Sequence, residues 1–523
     1  MTEQSFAPAP AVTSTEYAHR GWILAVMCTA LVMVVAGVSM LANAMPSIAA
    51  SLDASQSSQQ WIVVAYALVL AALLLPAGAM GDRFGRRGAL IAGTAIFGIG
   101  SLLSAFVSSA GPLIGLRALT GLGAALLMPG TLSTITSVFP PEERAKAVGI
   151  WAGFAGAGGT LGILVSGALL EQFWWGSIFL VTAGLAALSC IGVIAVVPST
   201  RSEEHVGLDP RGAVVSAIGI GLLVLGIIEG PERGWTDPFT LVGLIGGIVF
   251  LVGFIWVELR TDEPLLDPRL FSHRGFATGS ASLFLQFFAM FGFFFVSLQF
   301  LQLVLGYSTF EAALALLPMS IVILPISAVA GTMSEKYGHR LVGGIGLAVS
   351  AIGFGLFATL GTGSGFLAFM FVTIVIGVGA ALAMTPATNA IVASLPRAKQ
   401  GVASAVNDTS RELGAAFGVA VLGSAFNTGY RNSIDGHLTG LPGEVAQQAR
   451  EAPAIAVQLA GRVPGGEALA NAAREAFTTG MRYAVLVGMG LLVIGALFVW
   501  FRGASRTEEV LEDDLDELEP AAA

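Results

Sequence analysis

An all-α protein that crosses a membrane fourteen times is the fold class this sequence predicts, and three observations predict it. The chain is 55% hydrophobic and 11% charged, with a mean hydropathy of +0.81, and a soluble protein needs more charge than that to cover its core. Its apolar residues gather into runs of about twenty, the length that crosses about 30 Å of hydrocarbon as a helix. Lys and Arg fall almost wholly in alternate connections between those runs, the bias that sets orientation in a bilayer.

In chain order the runs are 22–44, 61–80, 88–107, 112–134, 146–169, 176–197, 212–229, 239–259, 277–301, 310–331, 341–360, 365–392, 401–425 and 480–501. LANA, residues 41–44, has the small residues of a signal cleavage site. The run before it is longer than a signal's apolar region and many comparable runs follow, so it is read as a retained span. With both termini and the even-numbered connections on one side, that side holds seventeen Lys and Arg, against Arg233 alone in the short connections opposite. Arg431, Arg450, Arg462, Arg474 and Arg482 lie in one long connection, and long segments cross regardless of charge. Both termini are therefore expected in the cytoplasm, with the protein multi-pass in the cytoplasmic membrane.

The expected organisation is a cytoplasmic tail 1–21, a six-helix bundle 22–197, two inserted helices with linkers 198–275, a second six-helix bundle 276–502 with an outer loop 426–479, and an acidic cytoplasmic tail 503–523. The net charge of −9 is mostly that tail, since residues 507–523 hold eight acids and no base. Within the outer loop, EVAQQAREAPAIAVQLAGRV and EALANAAREAFTTG read as two short amphipathic helices lying on the outer mouth. Cys28 and Cys190 sit in apolar runs and suggest no disulfide framework. His19, His205, His273, His339 and His437 all read as loop residues, and no metal-ligand spacing appears, which weighs against a membrane enzyme. There is no basic patch with interleaved aromatics for nucleic acid.

One decapeptide occurs twice. GAMGDRFGRR at 78–87 aligns without gaps on GTMSEKYGHR at 331–340, each after an apolar run and each in an expected cytoplasmic connection. Eight helices separate the copies, as a duplicated six-helix unit with two helices inserted between would place them. Gly78 lets its helix end close to a neighbour, Gly85 permits the turn, and Asp82 can cap another helix or pair with Arg83 or Arg86. Such a charge latch forms in one conformation and breaks in the other, so Gly78, Asp82, Arg83, Gly85 and Arg86 are read as a gate. Glu335, Lys336 and Arg340 keep the charge order in the second copy.

GDRFGRR preceded by Gly78 resembles the loop between helices two and three of the major facilitator superfamily. RALTGLGAA (117–125) resembles its fourth-helix Arg motif, and GGTLGILVSGALL (158–170) resembles a variant of the fifth-helix antiporter motif. EGPERGW (229–235), EPLLDPRLF (263–271) and NDTSRELGAAFG (407–418) resemble segments of the fourteen-helix drug:proton antiporter branch. The resemblance implies two pseudo-symmetric six-helix bundles around a central cavity, plus two inserted helices. It also implies alternating access and export of hydrophobic or amphipathic drugs, dyes, antiseptics or antibiotics. No cofactor is implied beyond a proton gradient. The expected partners are the small-molecule substrate, protons and the lipid bilayer, with the protein a monomer. Uptake or uniport of another solute is the alternative within transport. The chain departs from the branch at Gly37, where many members carry an acid, at Val64, where some members that take cations carry another, and at Ile163, where the usual residue is Pro; the first two weigh against divalent quaternary ammonium substrates.

An ionised side chain deep in a bilayer costs a few kcal/mol or more, so it asks for a partner or a task. Asp408 and Glu412 are four apart, with Asn407 and Arg411 on the adjoining face. A helix starting near Gly401 puts them about 10 Å and about 16 Å along its axis. Glu412 is the first candidate for carrying protons, Asp408 the second, and Arg411 the charge that tunes them; an intrahelical ion pair that cancels its own cost is the competing reading. Arg117 either faces the cavity, as its motif implies, or snorkels to the interface. Glu229 and Glu258, at the ends of the inserted helices, read as interfacial anchors. Asn43 and Asn389 are polar residues in apolar spans and read as interhelical hydrogen-bond partners. The stretch FLQFFAMFGFFFVSLQF (284–300) contains Phe288 and Gln299, and it is a packing surface or the apolar wall of a drug cavity. Asn43, Phe288, Gln299, Asn389 and Asn407 make up the expected substrate cavity.

Overall fold

A computed structural model describes residues 19–54, 56–198, 209–395, 399–438, 443–451, 453–460 and 466–503. The expected acidic tail beyond 503, nearly all of the tail 1–21 and His205 lie outside the described residues. The helices are α1 (Arg20–Leu52), α2 (Gln56–Phe84), α3 (Arg86–Ser104), α4 (Ala110–Val138), α5 (Pro141–Gln172), α6 (Ser177–Val196), α7 (Pro210–Arg233), α8 (Pro238–Glu258), α9 (Arg274–Gln299), α10 (Thr309–Ala358), α11 (Phe366–Ala393), α12 (Gln400–Ile434), α13 (Gly443–Glu451), α14 (Pro453–Ala460) and α15 (Gly466–Arg502). Twelve are long and apolar enough to cross a membrane. One of these, α10, holds two spans joined at Gly338, where φ is 79° and ψ 159°. Helix α12, less apolar than these, is 35 residues long and largely buried. Among the described residues that makes fourteen spans, at the positions of the fourteen apolar runs.

Local chemistry starts these helices where their apolar runs begin. Asp209 caps α7 by accepting from the Arg211 and Gly212 amides, and Asp237 caps α8 from Phe239 and Thr240. Ser308 and Glu311 form a reciprocal capping box at α10. Proline stands at the start of α5, α7 and α8, where its missing N–H leaves no bond unmade.

Helices α1–α6 enclose one apolar core and α9–α12 with α15 another. The two halves meet where α5 lies along α10 and α2 along α12, and α7 touches both α2 and α12. A third core is shared across this junction, with Leu75 of α2, Val224 of α7, Phe254 of α8 and Val402 of α12 among its members.

Three expectations change. EALANAAREAFTTG is the opening of α15, not a separate helix, because no proline or left-handed residue interrupts it. Its Phe477 packs edge-on against Phe426 at 4.8 Å between ring centroids. His339 is not a loop residue: α10 continues through the kink and leaves it 2% exposed. Glu258 is not an anchor in the headgroups either, being 2% exposed.

Candidate functional site

The end of the molecule carrying the first decapeptide, called the basic end here, closes around the first turn of α12. That turn has no acid of its own, and its unpaired amides are supplied from the other half. Asp82 at the end of α2 accepts from Gly401 N–H at 2.9 and 2.7 Å and from Val402 N–H at 3.3 Å. A carboxylate there meets both the free amides and the positive end of the helix dipole. Arg86 holds the carboxylate from the other side, donating through Nε at 3.2 Å and Nη2 at 3.0 Å, and its Nη1 reaches Ser133 O on α4 at 3.2 Å. Gly78 makes this approach possible, since a β-carbon there would lie 2.5 Å from Gly401 O. Gly85, at φ 106°, turns the chain from α2 into α3. Arg83 is exposed and stacks on Phe84.

The second copy repeats the backbone with different side chains around it. Gly331 lies against the Ala145 carbonyl of α5, as Gly78 lies against α12, and Gly338 repeats the positive φ of Gly85. Yet Glu335 and Lys336 are exposed, His339 stands where the first copy has Arg86, and Arg340 packs beside Gly503. The facing helix differs too, since the first turn of α5 carries its own acids, Glu142 and Glu143. Gly149 and Gly153 of α5 also face Ser327 and Leu324 of α10 across the junction, whereas Gly158 and Gly162 face Val35 and Ala36 of α1 within the first half.

Two turns further along α12, a polar cluster is buried between the halves. Asn407 and Asp408 are each 0% exposed and Arg411 is 4% exposed. Asp408 Oδ1 accepts from Asn407 Nδ2 at 3.2 Å and from Arg411 Nη1 at 3.2 Å, and Asn407 Oδ1 accepts from Thr388 Oγ1 of α11 at 2.9 Å. The Arg411 guanidinium lies over Phe287 of α9 at 4.7 Å and over Trp151 of α5 at 5.4 Å. Trp151 is fixed by donating Nε1 to Thr131 Oγ1 of α4 at 3.1 Å. Glu412, partly exposed, is under the field of both Arg411 and Asp408. Its own charge reaches Tyr66 of α2, whose ring sits 4.3 Å from the Arg117 guanidinium. Arg117 is 3% exposed and donates Nε to Ile62 O at 3.2 Å, so it is not snorkelling.

Asp408, Arg411 and Glu412 thus share one electrostatic site, and Arg117 of the first half is linked to it through Tyr66. Asp408 Oδ2, Arg411 Nε, Arg117 Nη2 and the Tyr66 hydroxyl are buried there without hydrogen-bond partners. A buried carboxyl oxygen with no donor can take a proton without breaking a bond, and at low dielectric that neutralisation changes every charge pair around it. Two members were not read from the sequence. Trp151 had a signal, because Trp in a span usually sits near an interface and this one is mid-helix. Tyr66 stands in the WIVVAY segment, where a phenol in an apolar run asks for a polar neighbour.

The expected cavity residues scatter. Asn407 belongs to the cluster just described. Asn43 donates to Ser166 Oγ at 2.9 Å, joining α1 to α5. Phe288 packs in the core of the second half at 3% exposure, Gln299 donates to Phe295 O of its own helix, and Asn389 leaves its buried amide nitrogen unpartnered. Gly37 faces Phe97 of α3 and Thr182 of α6. At the far end a cavity of about 550 Å³ is lined by Arg431, Leu438, Ala446, Gln447 and Arg450.

Comparison with known proteins agrees with this architecture. The chain is 34% identical over 494 residues to the multidrug efflux pump LfrA of Mycolicibacterium smegmatis, covering 93% of this chain and 97% of that protein. It is 34% identical over 491 residues to the methyl viologen resistance protein SmvA of Salmonella typhimurium, covering 92% and 98%. With the puromycin resistance protein pur8 of Streptomyces alboniger it shares 30% over 508 residues, covering 96% and 95%. Its fold matches the human organic anion transporter MFSD10 with a TM-score of 0.62 at 13% identity over 92% of this chain and 99% of that one. The proton:xylose symporter XylE matches with a TM-score of 0.59 at 18% identity over 93% and 96%. Residues 27–419 match the Major Facilitator Superfamily model, and the chain belongs to that superfamily.

Proposed function

We propose that this protein exports hydrophobic and amphipathic small molecules, antibiotics among them, across the cytoplasmic membrane in exchange for protons. Both termini are cytoplasmic in this reading, and the basic end is the cytoplasmic gate. The observation that carries it is the cluster on α12, where an acid with a free buried oxygen, Asp408, is tied through Arg411 to an aromatic of the opposite half. Protonation of Asp408 or Glu412 removes an anion from that cluster. Arg411 then loses its ionic partner, and the contact between α12 and α5 changes with it. The drug and antibiotic resistance proteins among the relatives support the substrate class and the direction, and the Asp82 latch supports a two-state rocker. No cofactor has a part in this mechanism, and a single chain contains every element of it.

The test uses inside-out vesicles with an imposed pH gradient, acid inside. Adding puromycin or ethidium should dissipate the gradient only where this chain is present, because each inward drug molecule releases protons. A gradient that survives while drug still moves would replace antiport with uniport.

A further inference from the structure

The base of the α7–α8 hairpin holds two carboxyl groups that face one another in a dry site. Asp209 caps α7 and Glu258 ends α8, and they are 6% and 2% exposed. One oxygen of each is satisfied by the main chain. Arg211 N–H and Gly212 N–H donate to Asp209 Oδ1 at 2.9 and 3.0 Å, and Leu266 N–H donates to Glu258 Oε2 at 3.1 Å. The second oxygens, Asp209 Oδ2 and Glu258 Oε1, are buried without any hydrogen-bond partner. They converge on one point, for a β-carbon built at Gly212 would collide with Glu258 Oε1 and lie 2.7 Å from Asp209 Oδ2. Two ionised acceptors aimed at each other out of water are mutually repulsive and unsolvated, and one hydrogen between them satisfies both.

Among the described residues the surrounding charges are as follows. Arg211 at the start of α7 and Arg274 at the start of α9 are exposed, and Arg260 is exposed and stacks on Trp256. Asp262 and Glu263 are exposed, and Asp267 pairs with Arg269. On α2, Asp82 is engaged with Arg86 and α12, and Arg83 is exposed. The field acting on Glu258 is that of Asp209.

We propose that Asp209 and Glu258 bind one proton between them, at a site separate from the acids of α12, and that this proton clasps the inserted hairpin to the junction of the two halves. The link to the junction is Leu266, which hangs on Glu258 and with Leu265 is buried in the core shared by α2, α7 and α12. When the proton leaves, two anions repel at the hairpin base, Glu258 is pushed away from Asp209 with Leu266 still held on its other oxygen, and the brace across the halves loosens. The folded state therefore holds a proton that the unfolded chain has released near neutrality. Its stability falls as pH rises, so an alkaline cytoplasm weakens the brace.

The test is thermal unfolding of the purified full-length protein in lipid nanodiscs from about pH 6 to about pH 9, a window above the ordinary carboxyl range. An Asp408→Asn/Glu412→Gln background removes the coupling acids, so the outcome does not depend on the proposed transport mechanism. The parent should lose several degrees of Tm across the window. Glu258→Gln and Asp209→Asn should each flatten that dependence while keeping the low-pH Tm, since an amide supplies the bridging hydrogen and Asn still caps the helix. An unchanged slope in both variants would overturn the proposal. So would failure of both to fold, or a Tm that rises with sodium or calcium at constant ionic strength and loses that rise in Glu258→Gln, which would make the occupant a metal cation.

Discussion

Replacing Asp82 by Asn should open the basic end. The carboxylate accepts three contacts from two α12 amides and two from Arg86, and those to α12 join the halves. Asn keeps one acceptor, turns an NH2 group towards an N–H, and removes the charge from the Asp82–Arg86 ion pair. Hydrogen bonds to charged groups are each worth about 1.5–3 kcal/mol and an N-cap about 1 kcal/mol, so a net loss of about 2–4 kcal/mol from this closed arrangement is expected. At 1.4 kcal/mol per tenfold, the closed-to-open ratio falls roughly 30-fold to several hundredfold. The reporter is Ser404→Cys, a site on α12 that is 0% exposed here, in a background with Cys28 and Cys190 replaced by Ala. Inside-out vesicles present the thiol to an impermeant maleimide. Asp82→Asn should raise the labelling rate by at least about tenfold, within the shift calculated above. A rate within about twofold of the parent would mean that the cap carries none of the closure energy.

Three further outcomes follow from the same geometry. Gly78→Ala forces a methyl to 2.5 Å from Gly401 O and 2.8 Å from Ala405 Cβ, whereas Gly81→Ala meets nothing nearer than 3.9 Å. The first should cost about 1–3 kcal/mol of closure and raise labelling of the Ser404→Cys thiol, and the second should leave it alone; equal effects would refute the close approach. Trp151→Leu removes the ring over Arg411 and Trp151→Phe keeps one, so pH-driven export should fall in the order Trp, Phe, Leu by a contact worth about 0.5–2 kcal/mol; Leu matching Trp in export rate would disprove the link. Cells carrying the chain should survive neutral and monovalent cationic antibiotics better than cells without it. Protection confined to divalent cations would contradict the reading of Gly37 and Val64.

The spans were legible because hydropathy over about twenty residues is a local quantity, and α12 was legible despite its charges because apolar and small residues flank them. What stayed hidden was pairing over distance. Asp82 as a helix cap followed from its type and place, but its partner Gly401 is 319 positions away. Glu258 was visible as an acid at a helix end, yet the approach of Asp209 from the other helix of the hairpin was not. The repeat suggested that Glu335 would do what Asp82 does. In the structure Glu335 is exposed where Asp82 is 1% exposed, and His339 stands in the place of Arg86. His339 reads as a loop residue because it lies between two apolar runs, but a single positive-φ glycine, Gly338, lets α10 run on and bury the ring. The expected cavity residues fared worst, since being polar in an apolar span says that a side chain has a partner, not which space it faces.

The claim on which the mechanism rests is that an acid on α12 couples proton movement to exchange of the transport state. Proteoliposomes carrying Asp408→Asn/Glu412→Gln can be assayed both for puromycin accumulation driven by a pH gradient and for puromycin exchange at equal pH. Gradient-driven accumulation should vanish while equal-pH exchange persists, because substrate binding and rocking remain and only the proton linkage is gone. Accumulation that survives the double substitution would contradict the account.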